Sequence, residues 1–112
     1  MISKFITKEG VTIFRIQGKL IPSTVELLWK NLENVIQEEG CKIILNFKNV
    51  TVLDSQARDQ LAEMVKEANE KEGILCFAEM GLAADQMIKL PELKDLIQNF
   101  KTEEEAVQNL TK

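Results

Sequence analysis

Asp54 and Ser55 are the residues whose types and position in this chain could do chemistry. They follow the apolar run 43–47 and open a stretch with helical periodicity, so they lie where a strand passes into the N-terminus of a helix. The first amide groups of a helix have no intrahelical partner and carry partial positive charge, which favours an oxygen-bearing group and above all a phosphate. Ser55 is therefore either a helix cap or a phosphorylation switch.

Phosphorylation of Ser55 would change the charge at this helix start. It would add roughly −1.5 to −2 of charge, which the helix dipole tolerates and with which Arg58, one turn along, could pair. The same charge would repel an acidic partner or disrupt an apolar contact. A single modification could therefore break an interface.

The composition excludes most catalytic and metal chemistry. The chain has no histidine, the commonest general base and metal ligand. Cys41 and Cys76 stand singly beside apolar runs, and without histidine they make no ordinary zinc site; we interpret both as small buried hydrophobes. The five glycines are scattered and form no phosphate-binding loop. We therefore expect a protein without cofactor or enzymatic activity.

Length and charge indicate one small soluble domain. A chain of 112 residues is expected to form a single domain, 1–112, that buries roughly two-thirds of its unfolded surface. The net charge of −4, with no long run of Lys or Arg, argues against nucleic-acid binding. The N-terminal residues lack the apolar core of a signal peptide, and no apolar stretch approaches membrane-spanning length. We expect a cytoplasmic protein without direct membrane insertion.

Hydrophobic periodicity predicts two strands and then helices and strands in alternation. The first two strands are joined by a tight turn at 8–10, and residues 18–22 are expected to form a loop. The predicted strands are 2–7, 11–16, 42–47, 74–78 and a last short one within 93–100.

Capping patterns predict where the helices begin. Two Ser/Thr-x-x-Glu sequences are typical of capping boxes: Ser23 with Glu26, and Thr102 with Glu105. Asp54 or Ser55 is expected to cap a further helix, and a short helix near 83–90 is expected to end before Pro91. Buried strands separated by such helices favour parallel pairing, whereas the first pair should be antiparallel. The predicted fold is a small α/β domain with a mixed β-sheet of about five strands and helices packed against it.

This order of elements, with Asp-Ser at a strand-to-helix junction, resembles the STAS domain family, whose members include bacterial anti-sigma factor antagonists. The likeness covers nearly the whole chain. It rests on residues 17–20, 46–55, 87–93 and 104–106.

The resemblance implies a partner and a modified residue. In the family, the serine after the Asp is phosphorylated by a serine kinase that is also an anti-sigma factor; the dephosphorylated domain binds the kinase, and phosphorylation releases it. Ser55 would be that serine. The implied partner surface consists of Gly18, Lys19, Leu20, Ile21, Pro22, Asp54, Ser55, Gln56, Ala57, Arg58 and Asp59.

The segment after Ser55 departs from the family pattern and keeps a second interpretation open. The family usually has Asp-Ser-x-Gly followed by apolar residues, whereas this chain has Ala57 and then Arg58, Asp59 and Gln60. Ile21 also stands where antagonists often carry an acidic or Asn residue. The alternative is a constitutive STAS-like scaffold or transporter-associated subunit in which Ser55 is only a helix N-cap. The oligomeric state stays open.

Overall fold

The hairpin that opens the chain continues into a mixed sheet. The protein is described by a computed structural model, which covers residues 2–81 and 98–111. The strands are β1 (Ile2–Ile6), β2 (Thr12–Leu20), β3 (Lys42–Leu53), β4 (Ile74–Ala78) and β5 (Asn99–Phe100). Within these residues the helices are α1 (Pro22–Ile36), α2 (Ser55–Glu70) and α3 (Glu103–Leu110).

The strands lie side by side in the order β1-β2-β3-β4-β5. β1 pairs antiparallel with β2, and every later pair is parallel. This confirms the predicted α/β class and the mixed sheet. Because β2 and β3 are parallel neighbours, their C-terminal ends meet at one edge of the sheet, where α1 and α2 begin.

Helices cover both faces of the sheet. α1 and α2 pack on one face through apolar stripes that include Leu28, Leu32, Leu61 and Met64, all at most 1% exposed. The other face packs against α3 through a smaller cluster: Val11, Ile13, Ile44, Cys76, Ala78, Ala106 and Leu110. No helix in the described parts of the chain is long and apolar enough to cross a membrane.

Both cysteines are buried, as the sequence predicts. Burial raises the pKa of the Cys76 thiol to about 12, and it also raises the pKa of Cys41. Since the thiolate is the reactive form, both residues act as apolar packing groups.

The expected loop at 18–22 is wrong. β2 continues to Leu20 and α1 begins at Pro22, so that only Ile21 separates them. Gly18 has a φ of +99° at a register shift between β2 and β3, a conformation that glycine adopts without strain. The glycine therefore marks a bulge within the strand, as at other sites where an extra residue bends a strand.

β3 is also longer than the predicted strand at 42–47. It extends to Leu53 because its second half pairs with the end of β2, in the register Lys19 with Val52 and Leu20 with Leu53. Residues 48–53 are mostly exposed or half-buried, so their composition lacks the apolar run that signals a buried strand.

The capping box predicted from Ser23 and Glu26 is not formed. Ile21 is the N-cap of α1 and makes no side-chain cap bond, while Pro22 occupies the first turn. Proline has a fixed φ suited to that position and no N–H to satisfy, so it starts the helix one residue before Ser23. Thr24 Oγ1 instead donates to the Lys19 carbonyl oxygen at 2.9 Å and ties α1 to the end of β2.

At α3 the predicted cap is present, since Thr102 Oγ1 accepts from Glu105 N–H at 3.1 Å. The predicted helix at 83–90 lies outside the described residues, as does most of the stretch 93–100. β5 accounts for the described end of that stretch.

Candidate functional site

The C-terminal ends of β2 and β3 bring the predicted site residues to one edge of the sheet. The Asp54 N–H donates to the Leu20 carbonyl oxygen at 3.0 Å, which fixes the start of α2 against the end of β2. The segment around Ile21 and the turn around Ser55 are therefore neighbours. We call this edge, where α1 and α2 begin, the switch edge.

Asp54 is the residue that caps α2. Its backbone is extended, and its Oδ1 accepts from Gln56 N–H at 2.8 Å and from Ala57 N–H at 3.3 Å. Ser55 is the first helical residue, its side chain is exposed, and its hydroxyl bonds to none of the described residues. The capping function and the modifiable hydroxyl thus belong to different residues.

Because Asp54 makes the cap bonds and Ser55 does not, alanine substitutions at the two positions should lower the free energy of unfolding by different amounts. Asp54→Ala should lower the free energy of unfolding by about 1 kcal/mol, because two helix N–H groups lose their acceptor. Ser55→Ala should change it by less than about 0.5 kcal/mol, as expected for an exposed residue without partners. Urea unfolding of both variants measures the difference. Equal costs would show that Ser55 shares the cap.

Arg58 lies one turn beyond Ser55 on α2 and is half-buried. Its Nη2 is 3.4 Å from Asp59 Oδ1, a long contact, and its Nε is buried without an acceptor among the described residues. Arg58 thus has an N–H group without an acceptor three residues along α2 from Ser55. A phosphate on Ser55 would supply strong acceptors in this neighbourhood.

The residues of the predicted partner surface differ in their exposure. Leu20 and Ala57 are both 0% exposed, so their side chains cannot meet a partner. Ala57 belongs to α2, and its methyl group packs in the core. The other predicted residues are exposed or half-buried: Gly18, Lys19, Ile21, Pro22, Asp54, Ser55, Gln56, Arg58 and Asp59.

Val52 belongs to the same edge and was missed by the sequence reasoning. It pairs with Lys19 and is 45% exposed, and with Ile21, at 36%, it gives the edge an apolar component. In the sequence, Val52 stands between Thr51 and Leu53, which the structure shows to be exposed and half-buried. This short pattern indicates a strand only once the pairing with β2 is known.

A polar cluster on the α3 face of the sheet was also missed. Arg15 donates to Glu103 through Nε at 2.9 Å and Nη2 at 2.7 Å. Asn46, which is buried, donates through Nδ2 to Glu103 Oε2 at 2.7 Å and to Glu79 Oε2 at 2.9 Å. The cluster attaches the start of α3 to the sheet and lies on the face opposite α1 and α2.

Arg15 and Asn46 together stabilise the charged form of Glu103. Hydrogen bonds from Arg15 are the main cause that lowers the pKa of Glu103; burial opposes them, and the bond from Asn46 adds to the lowering. A lowered folded-state pKa contributes stability above the unfolded-state pKa of about 4.3, and that stability is lost as pH falls through the folded-state value.

We therefore expect Glu103→Gln to lower the free energy of unfolding by up to about 1 kcal/mol at neutral pH, a modest cost because the Arg15 side chain is 52% exposed. The difference from the wild type should disappear in strongly acidic solution. Urea unfolding at both pH values measures it, with Glu104→Gln, an exposed neighbour in the same helical turn, as the matched control. A difference in the free energy of unfolding that persists in acid would contradict the assignment of this stability to the charged form of Glu103.

Comparison with known proteins assigns the fold and the family. The sequence model of the STAS domain family matches residues 4–106 of this chain. The anti-sigma F factor antagonist of Paenibacillus polymyxa is 24% identical over 102 residues, which are 90% of this chain and 87% of that protein.

Two solved structures show the extent of the structural likeness. The Bacillus cell fate determinant SpoIIAA in its phosphorylated form superposes with a TM-score of 0.76 at 19% identity, covering 98% of this chain and 99% of that one. The STAS domain of a SulP transporter from Vibrio cholerae gives a TM-score of 0.64 at 15% identity, covering 87% and 77% of the two chains.

Proposed function

The chain belongs to the STAS domain family, and we propose that it is a non-enzymatic regulator that resembles an anti-sigma factor antagonist. Its partner is a serine kinase that also acts as an anti-sigma factor, and phosphorylation of Ser55 releases that partner. We expect the protein to act in the cytoplasm, on a protein and not on nucleic acid. The names of its relatives support this: an anti-sigma F factor antagonist in Paenibacillus, and a cell fate determinant with a phosphorylated form in Bacillus.

The observation that carries the proposal is the exposed hydroxyl of Ser55 beside a cap made by Asp54. A kinase reaches such a hydroxyl without unfolding the helix start. The phosphate then adds negative charge where the helix dipole tolerates it, so the domain stays folded while its surface changes. Arg58 pairs with the phosphate and holds it at the switch edge.

The partner surface in this proposal consists of the exposed and half-buried residues of the switch edge. Lys19, Ile21 and Val52 form one side, and the first turn of α2 forms the other. Ser55 is the first residue of that turn, so a phosphate there would be desolvated or opposed by like charge in the complex. A juxtaposition of like charges costs several kcal/mol at an interface.

A binding experiment with purified variants tests the proposal. Tagged wild type, Ser55→Ala and Ser55→Asp are used to capture proteins from lysate of the source organism, and the captured kinase is then purified and titrated. We expect Ser55→Asp to weaken its binding at least tenfold, which is about 1.4 kcal/mol. Ser55→Ala should bind like the wild type and lose the mass shift of a phosphate upon incubation with the kinase and ATP.

Ser3→Asp is the matched control, because it adds the same charge at an exposed serine in β1. It should bind like the wild type. Equal binding of the Ser55→Asp and Ser3→Asp variants would contradict the proposed phosphorylation switch.

One observation favours a second function. Arg58, Asp59 and Gln60 make the first turns of α2 polar where the family is usually apolar, and the fold is shared with a transporter STAS domain. A constitutive scaffold or transporter-associated subunit would capture the same partner with wild type and Ser55→Asp. In that case no phosphate would appear on Ser55.

A further inference from the structure

A groove between α1 and α2 lies on the helical face of the domain and opens near the helix starts. Its volume is about 480 Å³, within the range of about 300–1,000 Å³ that is typical of small-molecule sites. Four apolar side chains line it: Pro22, Val25, Trp29 and Met64. Val25 and Met64 belong to the core and form a fixed floor, whereas Trp29 is half-buried and presents part of its ring to the groove.

The charge of the groove is negative on both walls. Glu26 on α1 and Glu63 on α2 line it, and none of the Lys and Arg residues that the structure describes does. Lys66 Nζ lies 3.7 Å from Glu63 Oε1 and offsets part of one charge, whereas Glu26 forms no ion pair within the described residues.

This combination selects one class of ligand. An apolar floor with an aromatic wall favours an apolar or aromatic body, and burial of such a body is favourable at roughly 25 cal/mol per Å². A positive charge on that body is favoured by two carboxylates and by the face of an indole, whereas a negative charge is repelled.

We propose that the groove between α1 and α2 binds a small organic cation, an amine with an apolar or aromatic body. The body packs against Trp29 and Met64, and the ammonium group lies between Glu26 and Glu63. This site is separate from Ser55, and the inference does not depend on the phosphorylation switch.

Trp29 supplies the measurement, because the chain has one tryptophan and no tyrosine. Its emission therefore reports directly on the groove. The probe is phenethylamine, which is protonated at neutral pH, compared with phenethyl alcohol as the neutral analogue and hydrocinnamate as the anionic one. We expect a saturable change with phenethylamine, several-fold weaker binding of phenethyl alcohol and no saturable change with hydrocinnamate.

Charge-neutralising variants decide whether the glutamates matter. Glu26→Gln and Glu63→Gln should each weaken phenethylamine binding by about twofold to fivefold, as expected for exposed charges, and leave phenethyl alcohol unaffected. Glu9→Gln removes the same charge from the turn between β1 and β2 and should change neither affinity. Equal affinities for the three probes, or cation binding that survives loss of both glutamates, would overturn the proposal. Circular dichroism of each variant verifies that the fold is retained.

Discussion

Gly73→Ala should lower the free energy of unfolding by about 3 kcal/mol, at the upper end of the usual cost of forcing extra atoms into a packed interior. A Cβ at residue 73 would press against Cys41 Sγ and lie 2.7 Å from the Cys41 carbonyl oxygen and 2.8 Å from its amide nitrogen. Cys41 cannot retreat, since its carbonyl accepts from Ile74 N–H at 2.7 Å where β3 and β4 begin to pair. Urea unfolding measures the loss.

Two further variants separate the clash from backbone strain. Gly40→Ala places a Cβ in open space at a φ of +72°, so it carries only the left-handed penalty of about 1–2 kcal/mol. Cys41→Ala in the Gly73→Ala background removes Sγ but leaves both backbone contacts, and it should restore only part of the stability. Full restoration would show that the side chain alone caused the clash.

Several structural features that depend on local signals were predicted correctly from the sequence. Apolar runs identified the buried strands around Leu45 and Phe77, because a strand covered on both faces needs such a run whatever its neighbours are. Asp54 or Ser55 was predicted to cap α2, and Asp54 does so, because capping depends on residues two and three positions along the chain. These features could be inferred without knowing which strands pair.

The predictions from sequence were wrong where two local signals compete, or where pairing with a residue distant in the sequence determines the local structure. Ser23 was predicted to cap α1, whereas Pro22 was assigned to the loop before it; the helix begins at Pro22 because the φ of proline is already set. Gly18 is typical of a loop, yet pairing with β3 keeps it in a strand. The position of Val52 likewise depends on that pairing.

The polar cluster under α3 depends on contacts that are remote in sequence. Arg15 and Glu103 are 88 positions apart, so no spacing rule joins them. One signal was present: Asn46 is the single polar interruption in the apolar run 42–47 after its opening lysine. A buried polar side chain needs hydrogen-bond partners, and the interruption therefore indicated a specific contact without naming it.

Asn46→Leu tests that contact and should lower the free energy of unfolding at neutral pH by about 3 kcal/mol, since each hydrogen bond to a charged group contributes about 1.5–3 kcal/mol. Leucine fills a similar space but cannot donate to Glu79 and Glu103, nor accept from Lys48 N–H as Asn46 Oδ1 does at 2.8 Å. The two carboxylates would then face each other without their shared donor.

The pH dependence of this loss distinguishes the cluster from simple packing. Without the donor, the charged carboxylates destabilise the fold, so the deficit of Asn46→Leu should shrink as acid protonates Glu103, whose pKa in the wild type is lowered in part by the bond from Asn46. Asn49→Leu, an exposed asparagine on the same strand, is the matched control and should cost less than about 0.5 kcal/mol. Adding Glu79→Gln to Asn46→Leu should recover part of the stability at neutral pH, because one of the two facing charges is gone. A deficit that is independent of pH and unaffected by Glu79→Gln would mean that Asn46 acts through its volume, and that α3 is held by apolar contacts alone.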